Sequence, residues 1–349
     1  MASPVRNSEW LECIATLLGG TSRQPCAVAF PPDQFWCVLD ELPLHLIPAG
    51  TLAGGLSLHP EQKRDLCLNP QARVLPHGVT PEELSSRARC LDNFALQGTT
   101  AWIQQPVTDS LLPFWLGPRL EGAVAAIQQE GHVPTVLPDE EVALLLTAGI
   151  VSTEEQAKRN RERWYEAIFR SAEMFHQRDY APVRGLMHPF HVAALRRYFR
   201  YQVRSGRIRL GDEQSSRRYG VHNESVARFF HQQMAKTVSL IVGEPVIPSH
   251  VYAASYLSGA VLKKHIDREQ CEFSVTLCLD FSPEPRGETS WPIRLDTAHG
   301  TVTVYQALGD GLVYRGPRVP HYRDILPNGQ TSTSIFFHYV SAGFTGSLD

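Results

Sequence analysis

His265, Ile266 and Asp267 close an apolar run, and a second histidine, His321, stands inside Tyr314-Arg315-Gly316-Pro317-Arg318-Val319-Pro320-His321-Tyr322-Arg323. Two imidazoles and a carboxylate are a ligand set for a divalent metal ion. In a β-strand successive side chains point to opposite faces, so His265 and Asp267 would share one face while Ile266 packs behind them. The third ligand then has to arrive from a distant strand. Three such ligands on one face of an octahedral ion leave the opposite positions open to other molecules, and the carboxylate offsets part of the metal charge.

The elements that must position these residues read as strands. Residues 246–257 form one, Ser258-Gly259 a turn, and 260–267 its partner. Residues 271–281 are a long run rich in apolar and β-branched side chains, broken at 283–287. Short strands are expected at 291–295, 300–306 and 312–315, the last after the turn signal Gly309-Asp310-Gly311, and a final one at 332–340. Seven or eight short strands with Gly, Pro and Asp punctuation predict a sandwich or small barrel.

With these residues in order, the chain from about 160 to 349 resembles the Fe(II)/2-oxoglutarate-dependent dioxygenases, in particular their prolyl-hydroxylase-like branch. The matching text is Tyr256 through His265-Ile266-Asp267, the strand after it, Gly309-Asp310-Gly311, Pro320-His321, and Gly329 with the last strand. A bare His-x-Asp recurs by chance, whereas the ordered set is far more specific. The resemblance implies an α+β fold whose core is a double-stranded β-helix, or jelly roll, with flanking helices. It implies His265, Asp267 and His321 as metal ligands and catalytic centre, Fe(II) as the metal, 2-oxoglutarate as cosubstrate and O2 as oxidant. It also places Tyr256 near the cosubstrate, although a core aromatic with a satisfied hydroxyl fits that residue equally. The implied activity is hydroxylation of a C–H bond in an amino-acid or peptide substrate. Desaturation, cyclisation or epimerisation could use the same triad.

One family element is missing. An arginine or lysine usually follows the distal histidine by about ten residues and pairs with the far carboxylate of 2-oxoglutarate, with a hydroxyl residue two positions later. Here Thr331 stands in place of the cation and Thr333 keeps the hydroxyl. Arg323 offers a substitute, because two residues past His321 in an extended strand it would share that residue's face. Pairing of Arg323 with Asp324 or Glu269 is the competing assignment, and Arg315 or Arg318 could serve instead. The missing cation also leaves open a catalytically silent jelly-roll binding protein with a relic metal site.

His250, His299 and His338 are read as structural histidines. Cys271 and Cys278, seven apart in one expected strand, are read as packing residues on opposite faces. The seven cysteines, at 13, 26, 37, 67, 90, 271 and 278, contain no Cys-x-x-Cys pair, so neither a disulfide framework nor a zinc site is indicated. A cytoplasmic location is expected, since the first ten residues lack the basic and apolar regions of a signal peptide. A net charge of -3 gives no electrostatic footprint for nucleic acid or an anionic membrane. The longest apolar stretch, 142–151, is about half a bilayer span.

Residues 1–151 are expected to form a separate mixed α/β domain of unknown role, a candidate for substrate recognition, with 152–349 as the oxygenase domain. Helices are expected at 10–18 and 139–147, the second closed by Gly149, and strands at 27–39 and 42–46. Thr80-Pro81-Glu82-Glu83 reads as a helix start, and Thr153-Glu154-Glu155-Gln156 as a capping box at the junction. Beyond it, Val192, Leu195, Phe199 and Val203 form an apolar stripe flanked by Arg196, Arg200 and Arg204. These arginines are read as a solvated helix side, or alternatively as a landing site for an anionic peptide. Residues 217–224 are read as a polar loop bordering the site.

Overall fold

The computed structural model describes residues 37–46, 60–92, 94 and 98–348, so the helix expected at 10–18 and most of the strand expected at 27–39 lie outside the described residues. In chain order the elements are β1 (Cys67–Leu68), β2 (Ala72–Leu75), β3 (Thr100–Gln104), β4 (Leu111–Trp115), α1 (Pro118–Glu130), α2 (Asp139–Thr147), β5 (Val151–Ser152), α3 (Glu154–Arg178), β6 (Tyr180–Val183), α4 (Pro189–Arg204), β7 (Arg209–Leu210), β8 (Arg218–His222) and α5 (Ser225–Val242). There follow β9 (Val246–Tyr256), β10 (Leu262–His265), β11 (Phe273–Ser282), β12 (Ile293–Thr297), β13 (Gly300–Val304), β14 (Gly311–Tyr314), β15 (His321–Arg323) and β16 (Thr331–Ser341).

Two antiparallel sheets form the barrel. One runs β6-β14-β11-β16-β9-β8-β7 and the other β10-β15-β12-β13. They face each other: Tyr180, Leu312 and Tyr314 of the first pack with Ile293, Leu295 and Val304 of the second. At the other end Tyr256, Phe281 and Phe336 pack with Trp291 and Leu326. Two facing antiparallel sheets agree with the sandwich or small barrel expected from the strand pattern.

Alternation along the strands divides the large sheet into two chemically different faces. Val251, Ala253, Phe273, Val275, Leu277, Ile335 and Phe337 belong to an apolar cluster with Trp164, Ile168 and Phe175 of α3 and Phe229 and Ile241 of α5. Burying each such side chain is worth roughly 1.5–3 kcal/mol, so the helix-covered face sets the register. The opposite face, turned into the barrel, receives His250, Ser274, Thr276 and His338.

The capping box forms as expected. Thr153 Oγ1 accepts from the Gln156 N–H at 3.1 Å, and the Gln156 side chain accepts from the Thr153 N–H at 3.1 Å. Helix α2 occupies the expected residues, with Gly149 left-handed just after it at φ 74°. Four other expectations are corrected. Residues 42–46 are not a strand; Leu44–Leu46 is a 3-10 turn, and Pro43 has no N–H for a ladder. The helix start at Thr80 yields only a 3-10 turn at Glu82–Leu84. The run 217–224 is largely strand β8, paired with β9 from Arg218↔Tyr256 to His222↔Tyr252. Finally, Arg196 and Arg200 are not a solvated helix side: Arg196 Nε donates to Asp280 at 2.9 Å and Arg200 Nε at 2.6 Å.

Residues before 151 do form a mixed α/β arrangement, with their own sheet β2-β3-β4. Its interior is not separate from the barrel's. One apolar cluster runs from Leu39 and Leu91 through Trp102, Phe114 and Leu145 to Phe229 and Phe337. Every strand of the two barrel sheets lies at Tyr180 or later, and the pair β1-β5 joins residues on both sides of 151. Among the described residues no helix is long and apolar enough to cross a membrane.

Candidate metal centre

Antiparallel pairing of β10 with β15 places His265 opposite His321, their ring centroids 4.3 Å apart. Nδ1 of His265 lies 2.7 Å from the carbonyl oxygen of Lys263, and Nδ1 of His321 lies 3.0 Å from that of Val319. A carbonyl can only accept, so each Nδ1 carries the hydrogen and each Nε2 keeps a bare lone pair. Those two Nε2 atoms approach Asp267 Oδ1 at 3.7 and 3.5 Å. All three ligand atoms lie within 4.8 Å of one another. Burial holds His321 below the usual histidine range against the opposing pull of Asp267, which keeps the imidazole neutral, as a ligand must be.

Asp267 lies two residues past the end of β10, not within the strand. Its place is set by other contacts: its N–H donates to the Gly316 carbonyl at 3.0 Å, and its Oδ2 accepts from Ser274 Oγ at 2.7 Å. Oδ1 is left to face the histidines. Gly316 is required here, because a Cβ at that position would stand 2.5 Å from Asp267 Oδ2 and 2.3 Å from the Cys271 carbonyl. Tyr314 completes the surround, its hydroxyl 3.4 Å from His321 Nε2 and 3.3 Å from Thr276 Oγ1.

The triad opens on a cavity of about 560 Å³ whose walls include Asp212, Arg218, His222, Tyr252, Tyr256, Arg268 and Phe336. Tyr256 is one of those wall residues, and its hydroxyl accepts from Arg218 Nη1 at 3.2 Å. Arg218 is itself held by Asp212 at 2.5 Å and Gln214 at 2.8 Å.

Arg323 is buried at 3% exposure. It donates to the Trp291 carbonyl and, at 3.4 Å, to Gln306 Oε1, and lies 4.8 Å from the centre of the Trp291 ring. Its Nε has no partner. Among the described residues no carboxylate pairs with it: Asp324 is taken by Arg294 at 2.8 Å, and Arg315 is likewise taken by Asp179 at 2.9 Å. Burial pushes the Arg323 guanidinium below the ordinary arginine range, yet arginine does not deprotonate in proteins, so the charge stays. Close by is Cys278, and across the ladder from Cys278 stands Ser334, whose buried hydroxyl also lacks a partner.

Thr333 is not brought to the site. Its hydroxyl pairs with Ser255 at 2.8 Å, on the face of β16 opposite to Ser334; Arg323, Ser334 and Thr333 are alike absent from the walls of the triad's cavity. Thr331 is exposed. The hydroxyls on the interior face of β16 belong to Ser332 and Ser334, one residue away, and a shift of one reverses every side chain.

Sequence reasoning also missed Ser274, Gly316 and the site-lining histidines His250 and His338. A signal existed in β11, where Ser274, Thr276 and Cys278 alternate with Phe273, Val275, Leu277 and Leu279. Read as a uniform apolar run, it hid a polar face. Cys271 is not in that strand but in a 3-10 turn before it, Glu269–Cys271, and it lines the cavity rather than packing in the core.

No family model and no curated protein matches the chain. Among solved structures it is similar to the non-heme alpha-ketoglutarate-dependent epimerase SnoN from nogalamycin biosynthesis, at 16% identity over 51% of this chain and 82% of that one, with a TM-score of 0.43. SnoN has also been solved with Fe3+ and alpha ketoglutarate. A Pseudomonas putida prolyl-4-hydroxylase is 17% identical over 50% of this chain and 100% of its own, with a TM-score of 0.42. AviO1 from Streptomyces viridochromogenes is 18% identical over 51% of this chain and 97% of its own, also at 0.42. Likeness at this level assigns no role to any residue.

Proposed function

We propose that the protein is an Fe(II)- and 2-oxoglutarate-dependent dioxygenase that hydroxylates a C–H bond in an amino-acid or peptide substrate. The observation that carries this reading is the convergence of two bare imidazole nitrogens and one free carboxylate oxygen, His265 Nε2, His321 Nε2 and Asp267 Oδ1. Two imidazoles and a carboxylate with open positions suit non-heme Fe(II). Arg323 Nε and Ser334 Oγ, both buried without partners, fit the distal carboxylate of 2-oxoglutarate, which could accept from both. When bound, iron, 2-oxoglutarate and O2 supply the oxidising chemistry.

The chain's own residues hold and orient. His265 and His321 present Nε2 because their Nδ1 hydrogens are committed to carbonyls. Ser274 holds Asp267 Oδ2 so that Oδ1 faces the metal position. At the cavity wall Glu213 and Arg268 carry opposite charges beside the mutually paired Asp212 and Arg218, which suits the ammonium and carboxylate ends of an amino acid or the dipoles of a peptide backbone. Residues before 151 contribute substrate recognition or a packed support for the barrel.

Iron titration and succinate release from 2-oxoglutarate test the reading. His265→Ala, Asp267→Ala and His321→Ala should each weaken iron binding by more than the roughly 10–100-fold typical of losses one layer further out, and abolish succinate formation. Arg323→Ala should raise the 2-oxoglutarate requirement while sparing iron, with partial rescue by Arg323→Lys. Iron affinity unchanged in all three ligand variants would overturn the site. Iron binding without any turnover of 2-oxoglutarate would instead identify a silent binding protein.

A further inference from the structure

On the other side of Ser274 from the triad, the barrel interior holds a second group of ligand-bearing side chains. His250 comes from β9, His338 from β16 and Cys271 from the turn before β11. All three are buried, and all three line the cavity. Their ligand atoms lie within 4.8 Å of one another. The His250 and His338 ring centroids are 4.6 Å apart, and Cys271 Sγ is 3.7 Å from His250 Nε2.

Counting hydrogens settles the state of His338. Ser274 Oγ has one hydrogen, and the carboxylate oxygen Asp267 Oδ2, at 2.7 Å, can only accept it. The 2.9 Å contact between Ser274 Oγ and His338 Nδ1 then requires the imidazole to donate. His338 Nε2 is therefore a bare lone pair, like those of His265 and His321. A tetrahedral zinc ion with ordinary bond lengths, about 2.3 Å to sulfur and about 2.0–2.1 Å to nitrogen, holds those two atoms about 3.6 Å apart. The spacing of Cys271 and His250 is already close to that value.

We propose that His250, Cys271 and His338 form a second metal site, selective for zinc, with a fourth position open to the cavity. The two sites differ in softness. A thiolate favours zinc over harder ions, whereas the imidazole and carboxylate set beside it carries no sulfur. On binding, the thiol proton of Cys271 leaves to solvent as the sulfur–zinc bond forms, and no electron is transferred. Zinc there fixes the His338 ring, and through Ser274 it restrains the carboxylate of Asp267.

Cobalt(II) reports the site directly, because a thiolate ligand gives a near-ultraviolet charge-transfer band that imidazole and carboxylate ligands do not. The metal-free full chain should bind two cobalt ions, show that band, and lose both cobalt and band to added zinc. Cys271→Ala should bind one cobalt ion without the band. His265→Ala with His321→Ala should keep the band while losing the other ion, so the proposal survives or fails independently of the iron reading. Absence of the band in the unaltered protein would overturn it, since that needs no variant to fold. A band that persists in Cys271→Ala would overturn it as well.

Discussion

Arg196 and Arg200 on α4 and Arg323 on β15 are all largely buried, but their surroundings are opposite. The first two grip one carboxylate, Asp280, with Glu284 adding a further contact to Arg196. Arg323 has a carbonyl, an amide oxygen and an aromatic face, and no carboxylate among the described residues. Burying a charge with its partner ties two elements together; burying one without a partner costs stability unless something else supplies the opposite charge. The contrast separates two arginines that tie helix to strand from one whose charge meets no carboxylate among the described residues.

The strongest way to break that contrast is Asp280→Ala. Removing the shared carboxylate leaves Arg200 unmatched and Arg196 with Glu284 alone at the α4–β11 contact, and chemical denaturation should show a loss of about 3–5 kcal/mol. A loss under about 1 kcal/mol would mean that both arginines reach water or Glu284 and belong to no buried network. Arg323→Met should act with the opposite sign: without 2-oxoglutarate the variant should be as stable as the parent or up to about 1–4 kcal/mol more so. Added 2-oxoglutarate should raise the melting temperature of the parent only. A clearly destabilised Arg323→Met would show that Trp291 and Gln306 already satisfy the guanidinium.

Acid gives the smallest effect per residue and sharpens the comparison, because a buried histidine can lose its proton where arginine cannot. Burial, with His191 adding to it, brings His188 down to about 3, and burial brings His191 down to about 4 despite its hydrogen bond to the Pro113 carbonyl. Folded values below the unfolded 6.5 mean that the unfolded chain binds more protons. Their contribution is therefore intact above about pH 6.5 and is lost as pH falls toward 3–4, by about 1.4 kcal/mol per pH unit for each residue. Urea midpoints at pH 7 and 5.5 measure it. Equal midpoints would place both histidines in contact with water.

The strand ladder and the His265–Asp267 pair are legible because both are local, since alternation marks a strand and the two residues are two apart; His321 comes from the ordered set of motifs instead. What was not legible depends on distant partners. Nothing near Arg200 announces Asp280, eighty residues on. The unpaired state of Arg323 shows only once Asp324 is seen to bind Arg294. Thr333 follows from a spacing counted along the chain from His321, whereas the face of β16 is decided by its pairing with β9. His338 looked like an ordinary core histidine until the ladder set it opposite Ser274. The continuous apolar interior across 151 was hidden for the same reason, since each half has a composition able to form a core alone.

The place of β16 in the large sheet also bears on biogenesis. It is the last strand among the described residues, yet it sits at the centre of the order, between β11 and β9. Until it emerges from the ribosome, both neighbours carry long open edges able to pair with strands of other nascent chains. The interval of greatest aggregation risk during synthesis therefore falls just before residues 331–341 emerge from the ribosome, when most of the barrel exists and its middle is still missing.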